Sequence, residues 1–314
     1  MNHLNRNFNL RSFRNFWGVF AFILILIVTL ACSIDLGELG EKDNSSKDKE
    51  TAEKRPSGKK KKQSKDEEEE EEDTKKTSGK NSDKGDFLAV YSDIQDQKYV
   101  AFDKSMRDQK VLEDIANQLN KNLSLPTDVT ITFKDCGTPN AFYMADNKLV
   151  TVCYEFMDLF YQKFIEMGFS EEEANQRMFG ATEFFFLHEL GHCLIDVYDL
   201  PAVGREEDAV DQLSTYILMD GMSEGGDESA ISGVLIFQAL AENEQNSPQQ
   251  FADEHSLSSQ RYFNIACWMY GKDPRKYSDF VTKGVLPETR AVRCETEYNK
   301  MSNAWKQLVA QHRK

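Results

Sequence analysis

Two histidines stand four residues apart, with a glutamate directly after the first, in His188-Glu189-Leu190-Gly191-His192. On a helix that spacing puts both imidazoles on one face, a turn apart, where they can bind one zinc ion at about 2.0–2.1 Å while Glu189 stands beside the ion's open position, ready to take a proton from water. The flanks are apolar: Phe184, Phe185, Phe186 and Leu187 precede the motif, and Leu194 and Ile195 follow it. A helix so apolar all round belongs in a core, and two histidines and a glutamate buried there without partners would be costly. A metal ion resolves that cost.

An ion that keeps one position open for water needs a third protein ligand. The next helical segment, Gly204-Arg205-Glu206-Glu207-Asp208-Ala209-Val210-Asp211-Gln212, supplies the candidates. Glu207 and Asp211 share a helix face, so Glu207 can bind the metal while Asp211 orients a histidine ring. Glu206 has Val210 as its corresponding neighbour, which makes it the second choice, and Asp208 follows. Acids in a first helical turn also suit the macrodipole, an account that covers Glu206, Glu207 and Asp208 but not Asp211. Arg205 can pair with a neighbouring acid and receives no catalytic role.

The elements that must position these groups follow from periodicity. Phe87–Tyr91 and Asp128–Phe133 have strand character, with Lys104–Asn122 helical between them, and Asn140–Met144 and Lys148–Tyr154 form a hairpin about Ala145-Asp146-Asn147. Ser170 and Glu173 make a capping box that opens a helix running to about Tyr198. Further helices are expected from about Gly204 and over 228–241, 248–270, 274–283 and 288–312. A small mixed N-terminal sheet followed by a mostly helical C-terminal part is an α+β architecture.

The chain of 314 residues carries a net charge of -15, which argues against nucleic acid as a partner. Residues 1–32 hold Arg6, Arg11 and Arg14, then an uncharged run from Phe16 to Ala31 that is short for a membrane span and suits a signal peptide. Its end, Thr29-Leu30-Ala31-Cys32-Ser33, resembles a bacterial lipobox, which implies a lipid on Cys32; Thr29 departs from the usual first residue. Ser33 is not the acidic residue of inner-membrane retention, so the expected location is the bacterial cell envelope, with the outer membrane favoured over the inner. Residues 33–86, with the basic block Lys59–Lys62 and the acidic run Asp66–Asp73, bury too little to fold and read as a charged tether. Residues 87–314 remain as one cored domain holding the whole net charge, since the tether's small acidic excess cancels the three leading arginines.

Six cysteines fit an exported chain. With Cys32 assigned to lipid, Cys136 and Cys153 bracket the hairpin and Cys267 and Cys294 lie on consecutive helical segments, so the pairs Cys136–Cys153 and Cys267–Cys294 are expected. Cys193 is left over. Its side chain points about 100° away from that of His192, which favours a buried thiol over a ligand.

The stretch HELGHCLIDVYDLPAVGREEDAVDQ, residues 188–212, resembles the core signature of a bacterial metallopeptidase family, a gluzincin-like member of the zincins. The resemblance extends to CGTPNAFYMADNKLVTVCYEF, DEHSLSSQRYFNIACWMYG and LPETRAVRCETEY, and so covers most of residues 87–314. It implies a zincin-like domain with Zn2+ held by His188, His192 and an acid of the GREEDAVDQ segment, Glu189 as catalytic acid/base, and a protein or peptide substrate paired with an edge strand, for which Lys148–Cys153 is the candidate. The downstream segment offers His255, then Tyr262 and Arg261, as donors to the developing oxyanion. The resulting expectation is a zinc peptidase tethered to a membrane by its N-terminal lipid. The competing expectations are a zinc-stabilised scaffold lipoprotein, which would have no need of Glu189, and an adhesin acting through its tether. Oligomeric state has no signal in the sequence.

Overall fold

The computed structural model describes residues 83–220, 225–245 and 247–314. The expected signal peptide, Cys32 and all but the last residues of the expected tether lie outside them. Backbone pairing is present ahead of Phe87: the Lys84 and Gly85 N–H groups both donate to the Leu125 carbonyl oxygen. A Cβ at Gly85 would stand 2.0 Å from the Thr127 carbonyl carbon, so only glycine fits where the chain enters the domain.

The architecture is α+β, as expected. Four strands, β1 (Phe87–Ala89), β2 (Val129–Lys134), β3 (Ala141–Met144) and β4 (Leu149–Cys153), form a mixed sheet in the order β1-β2-β4-β3. β1 and β4 both run parallel to β2, and β3 returns antiparallel to β4 across a short 3₁₀ turn at Ala145–Asn147. β4 is therefore an interior strand and not the expected edge. Its Val150, Thr151, Val152 and Cys153 are buried, as a strand paired on both sides requires, and β3 forms the edge. The Cys153 N–H donates to the Asn140 carbonyl oxygen, and alternation along the ladder turns the backbone groups of Ala141 and Tyr143 toward the free edge.

Helices α1 (Val100–Asp108) and α2 (Val111–Asn122) replace the single helix expected over 104–122. The break is at Lys110, whose φ of 56° ends one helix and redirects the next so that Val111, Leu112 and Ile115 reach the core. After α3 (Tyr154–Glu166) comes the long α4 (Glu171–Tyr198), opened by the expected capping box between Ser170 and Glu173. Its segment from Phe179 to Gly191 is buried throughout and packs against α3, the β3–β4 hairpin, α5 (Glu206–Met219) and α6 (Gly226–Ala241). Phe185 meets Phe156, Phe160 and Phe237, fixing the rotation of α4 with directional aromatic contacts.

The helix expected over 248–270 is two: α7 (Pro248–Ala252) and α8 (Ser258–Lys272), joined by the link Asp253–Leu257. α9 (Ser278–Thr282) is shorter than expected, and the segment 288–312 divides into α10 (Glu288–Ala291) and α11 (Cys294–Ala310). Disulfides join Cys136 to Cys153 and Cys267 to Cys294, the first holding the β2–β3 connection to the end of β4 and the second joining α8 to α11. Cys193 is a free, buried thiol pushed up to about 12 by desolvation, which makes it inert near neutral pH. No helix among the described residues is long and apolar enough to cross a membrane.

Candidate metal centre

α4 presents His188 and His192 on one face, their ring centroids 5.0 Å apart. α5 crosses the helix at Gly191, where a Cβ would meet Val210 Cγ1 at 2.7 Å; the absent side chain lets α5 approach closely enough to bring its first turn onto the histidines. Glu207 lies between them, with its Oε2 3.1 Å from His188 Nε2 and its Oε1 3.2 Å from His192 Nε2. The α7–α8 link adds a third imidazole, His255, whose Nε2 is 3.2 Å from Glu207 Oε2.

Each ring is held from behind by a carboxylate. Asp211 Oδ1 is 2.9 Å from His188 Nδ1, Glu206 Oε1 is 2.8 Å from His192 Nδ1, and Asp253 Oδ1 is 2.9 Å from His255 Nδ1. With Nδ1 of each ring directed to one of these acids, all three Nε2 atoms face Glu207. Arg261 also stands 3.3 Å from His188 Nδ1, but its stronger contacts are two bonds of 2.7 Å to Asp211, so the Nδ1 proton of His188 remains directed at the carboxylate. The Arg261 guanidinium lies 4.2 Å from the Phe237 ring centroid and is buried. Asp208 accepts from Ser256 Oγ at 2.8 Å and so ties the link carrying His255 to α5. Glu206, Glu207 and Asp208 thus do three different jobs from one helical turn.

Glu207 Oε2 is buried and has two imidazole nitrogens within 3.2 Å. Three imidazoles and a carboxylate turned toward one point are a nitrogen and oxygen donor set, so the residues present fit a metal ion, whose place protons on the imidazoles take in its absence. The donor atoms of His188, Glu207 and His255 all lie within 4.8 Å of one another, and His192 meets the same carboxylate through its other oxygen. Glu189 projects from the same turn of α4, nearly buried; desolvation raises its pKa, and a bond from the Tyr143 backbone N–H on β3 partly offsets that. The hairpin is clamped to α4 at Asp196, one turn past His192, by the Tyr143 hydroxyl and by Lys148 Nζ at 2.7 Å.

Burial alone would lower the pKa of His192, but the Glu207 and Glu206 carboxylates outweigh it and hold the ring up to about 9 in the metal-free site. A metal must displace that proton, so apparent affinity is expected to fall about tenfold per pH unit below 9 for each proton displaced. Stability runs the other way. Because the folded pKa is raised above 6.5, the metal-free protein has this contribution in full below pH 6.5 and loses it as pH rises through about 9. Competition titration against a chromophoric chelator from pH 6 to 9 reads the first trend, and a flat affinity profile would contradict it.

The structure brings together His188, Glu189, His192, Glu207, Asp211 and His255 from the sequence reading, with Arg261 behind Asp211. Tyr262 packs against the hydrophobic core beside Phe263. The roles of Glu206 and Asp253 were missed. For Asp253 the signal was present in its position two residues before His255, where its side chain accepts from both the His255 backbone N–H and the ring.

A histidine pair on one helix, a carboxylate on the next and a buried glutamate beside an edge strand form a candidate metal site on an α+β fold. The chain belongs to the family described as "Putative metallopeptidase", whose model matches residues 91–309. No curated protein and no solved structure matches the chain. Membership supports a metal-dependent peptidase function.

Proposed function

We propose that the protein is a zinc-dependent peptidase of gluzincin type that hydrolyses peptide bonds with Glu189 as general base. The carrying observation is the convergence of imidazole Nε2 atoms on the Glu207 carboxylate. His188, His192 and Glu207 would hold the ion, a nitrogen and oxygen set suited to zinc. When bound, zinc supplies the Lewis acidity that acidifies water and polarises the scissile carbonyl. Glu189, its proton affinity raised by burial, accepts the water proton and delivers it to the leaving amine. A peptide in extended form adds to the free edge of β3, using the outward backbone groups of Ala141 and the Tyr143 carbonyl. His255, with Asp253 behind it, is the donor for the carbonyl oxygen once substrate is in place.

The test is metal content and cleavage of a mixed-peptide library by the purified full chain. We expect bound zinc, cleavage that stops on chelation, and recovery on adding zinc back. A chain that retains no zinc, or that holds zinc and cuts nothing, overturns the reading; the latter result is the one a scaffold protein would give.

The same reading places the enzyme at a bacterial envelope membrane, held by lipid on Cys32 through the charged segment 33–86. Two disulfides in the domain support an oxidising compartment. Loss of membrane association in Cys32→Ala is the expected result, and unchanged association would sink it.

A further inference from the structure

We propose that His255 is a fourth, releasable metal ligand: in the substrate-free protein it closes the position that catalysis needs, and the link that carries it opens that position when substrate enters. The inference rests on the metallopeptidase reading and concerns the regulation of that site.

Distances carry the first half. Atoms bound to one zinc ion in a tetrahedron at 2.0–2.1 Å stand about 3.3 Å from one another. Glu207 oxygens are 3.1 Å from His188 Nε2, 3.2 Å from His192 Nε2 and 3.2 Å from His255 Nε2. By this measure His255 is placed like His188, with which it shares Oε2, while His192 meets Oε1 of the same carboxylate. A donor reserved for the substrate's oxygen would stand farther out, separated from the ion by that oxygen and a hydrogen bond of about 2.7–3.1 Å. The support is also that of a ligand, since Asp253 directs the Nδ1 proton of His255 as Asp211 and Glu206 direct those of His188 and His192.

Position carries the second half. The side chains of His188 and His192, on the packed α4, are 4% and 17% exposed, whereas that of His255 is 45% exposed. Its link, Asp253–Leu257, follows the five-residue α7 and is tied to α5 by the Ser256–Asp208 bond. The far end is anchored, because the Glu244 carboxylate accepts from the Ser258 and Ser259 N–H groups at the start of α8. A cavity of about 150 Å³ beside the ring, bordered by Glu244, Gln250 and the link itself, gives the imidazole room to leave.

The experiment is X-ray absorption at the zinc edge of the loaded full chain, which counts imidazoles by their multiple scattering. Wild type is expected to show three, and His255→Gln two with a water; Glu189→Gln is expected to keep three. Acetohydroxamate added to wild type should lower the count from three to two, which tests the claim without any substitution. Two imidazoles in wild type, or a count that stays at three with acetohydroxamate bound, overturns the proposal and leaves the zinc peptidase reading intact. Absence of zinc from wild type is instead the failure of that parent reading.

Discussion

Glu189→Gln is expected to keep its metal and lose turnover by about a hundredfold to ten-thousandfold, the range that a positioned general base contributes. The amide matches the carboxylate in shape, and its carbonyl oxygen can still accept from the Tyr143 N–H, so the link between α4 and β3 survives. What disappears is the proton acceptor. Burial raises the Glu189 pKa above its ordinary 4.5 in the metal-free site and a bound cation opposes that shift, so the expectation is that the acid limb of the wild-type rate profile is absent from the variant's residual activity. Metal analysis alongside initial rates reads both parts. A variant cleaving within a few-fold of wild type would place the base elsewhere.

Arg261→Met is expected to cost about 3–5 kcal/mol of folding stability, because it strips the partner from a buried charge. Asp211 is 2% exposed. Burial would raise its pKa, but the Arg261 charge and the bond to His188 bring it down to about 2. A folded pKa below the ordinary 3.8 means that this contribution is present above pH 3.8 and lost as pH falls through about 2. In the variant Asp211 must take up a proton at much higher pH or remain charged without a partner, and either outcome loosens His188. Metal affinity should fall about tenfold to a hundredfold, the usual effect of losing support behind a ligand. Arg261→Met combined with Asp211→Asn should recover part of the stability, since no unpaired charge is then left inside. Denaturant unfolding of the metal-free forms decides it, and a loss below about 1 kcal/mol for the single variant would show that Asp211 does not depend on Arg261.

How much of this was readable in the residues depends on the distance over which each feature is set. Those settled within a helical turn or two were readable: the capping box at Ser170 and Glu173, the apolar flanks that bury His188 and Glu189, the shared face of His188 and His192, and the spacing that carries Glu207 inward together with Asp211. Gly191 belongs here in part. Its presence in the motif is local, but its reason, the approach of Val210, lies on another helix. The α+β order was also readable, because period-two runs precede period-3.6 runs along the chain.

The assignment of each carboxylate to its imidazole was not. Asp211 reaches His188 across 23 residues, Glu206 reaches His192 across 14, and Arg261 reaches Asp211 across 50, so each pairing waits on how helices cross. The same holds for the sheet: the resemblance to zincins implied an edge at Lys148–Cys153, and only the parallel pairing of β4 with β2 made it interior. The residue pattern did not disclose the break at Lys110, whose left-handed backbone is held by its surroundings, nor the opening of a predicted helix at Asp253–Leu257. Sequence by itself determined which side chains share a helix face, because backbone geometry repeats over a few residues whatever the rest of the chain does. Tertiary structure decided which faces meet, because that depends on packing summed over the whole core, and it is the meeting of three such segments that places His188, Glu207 and His255 around one point.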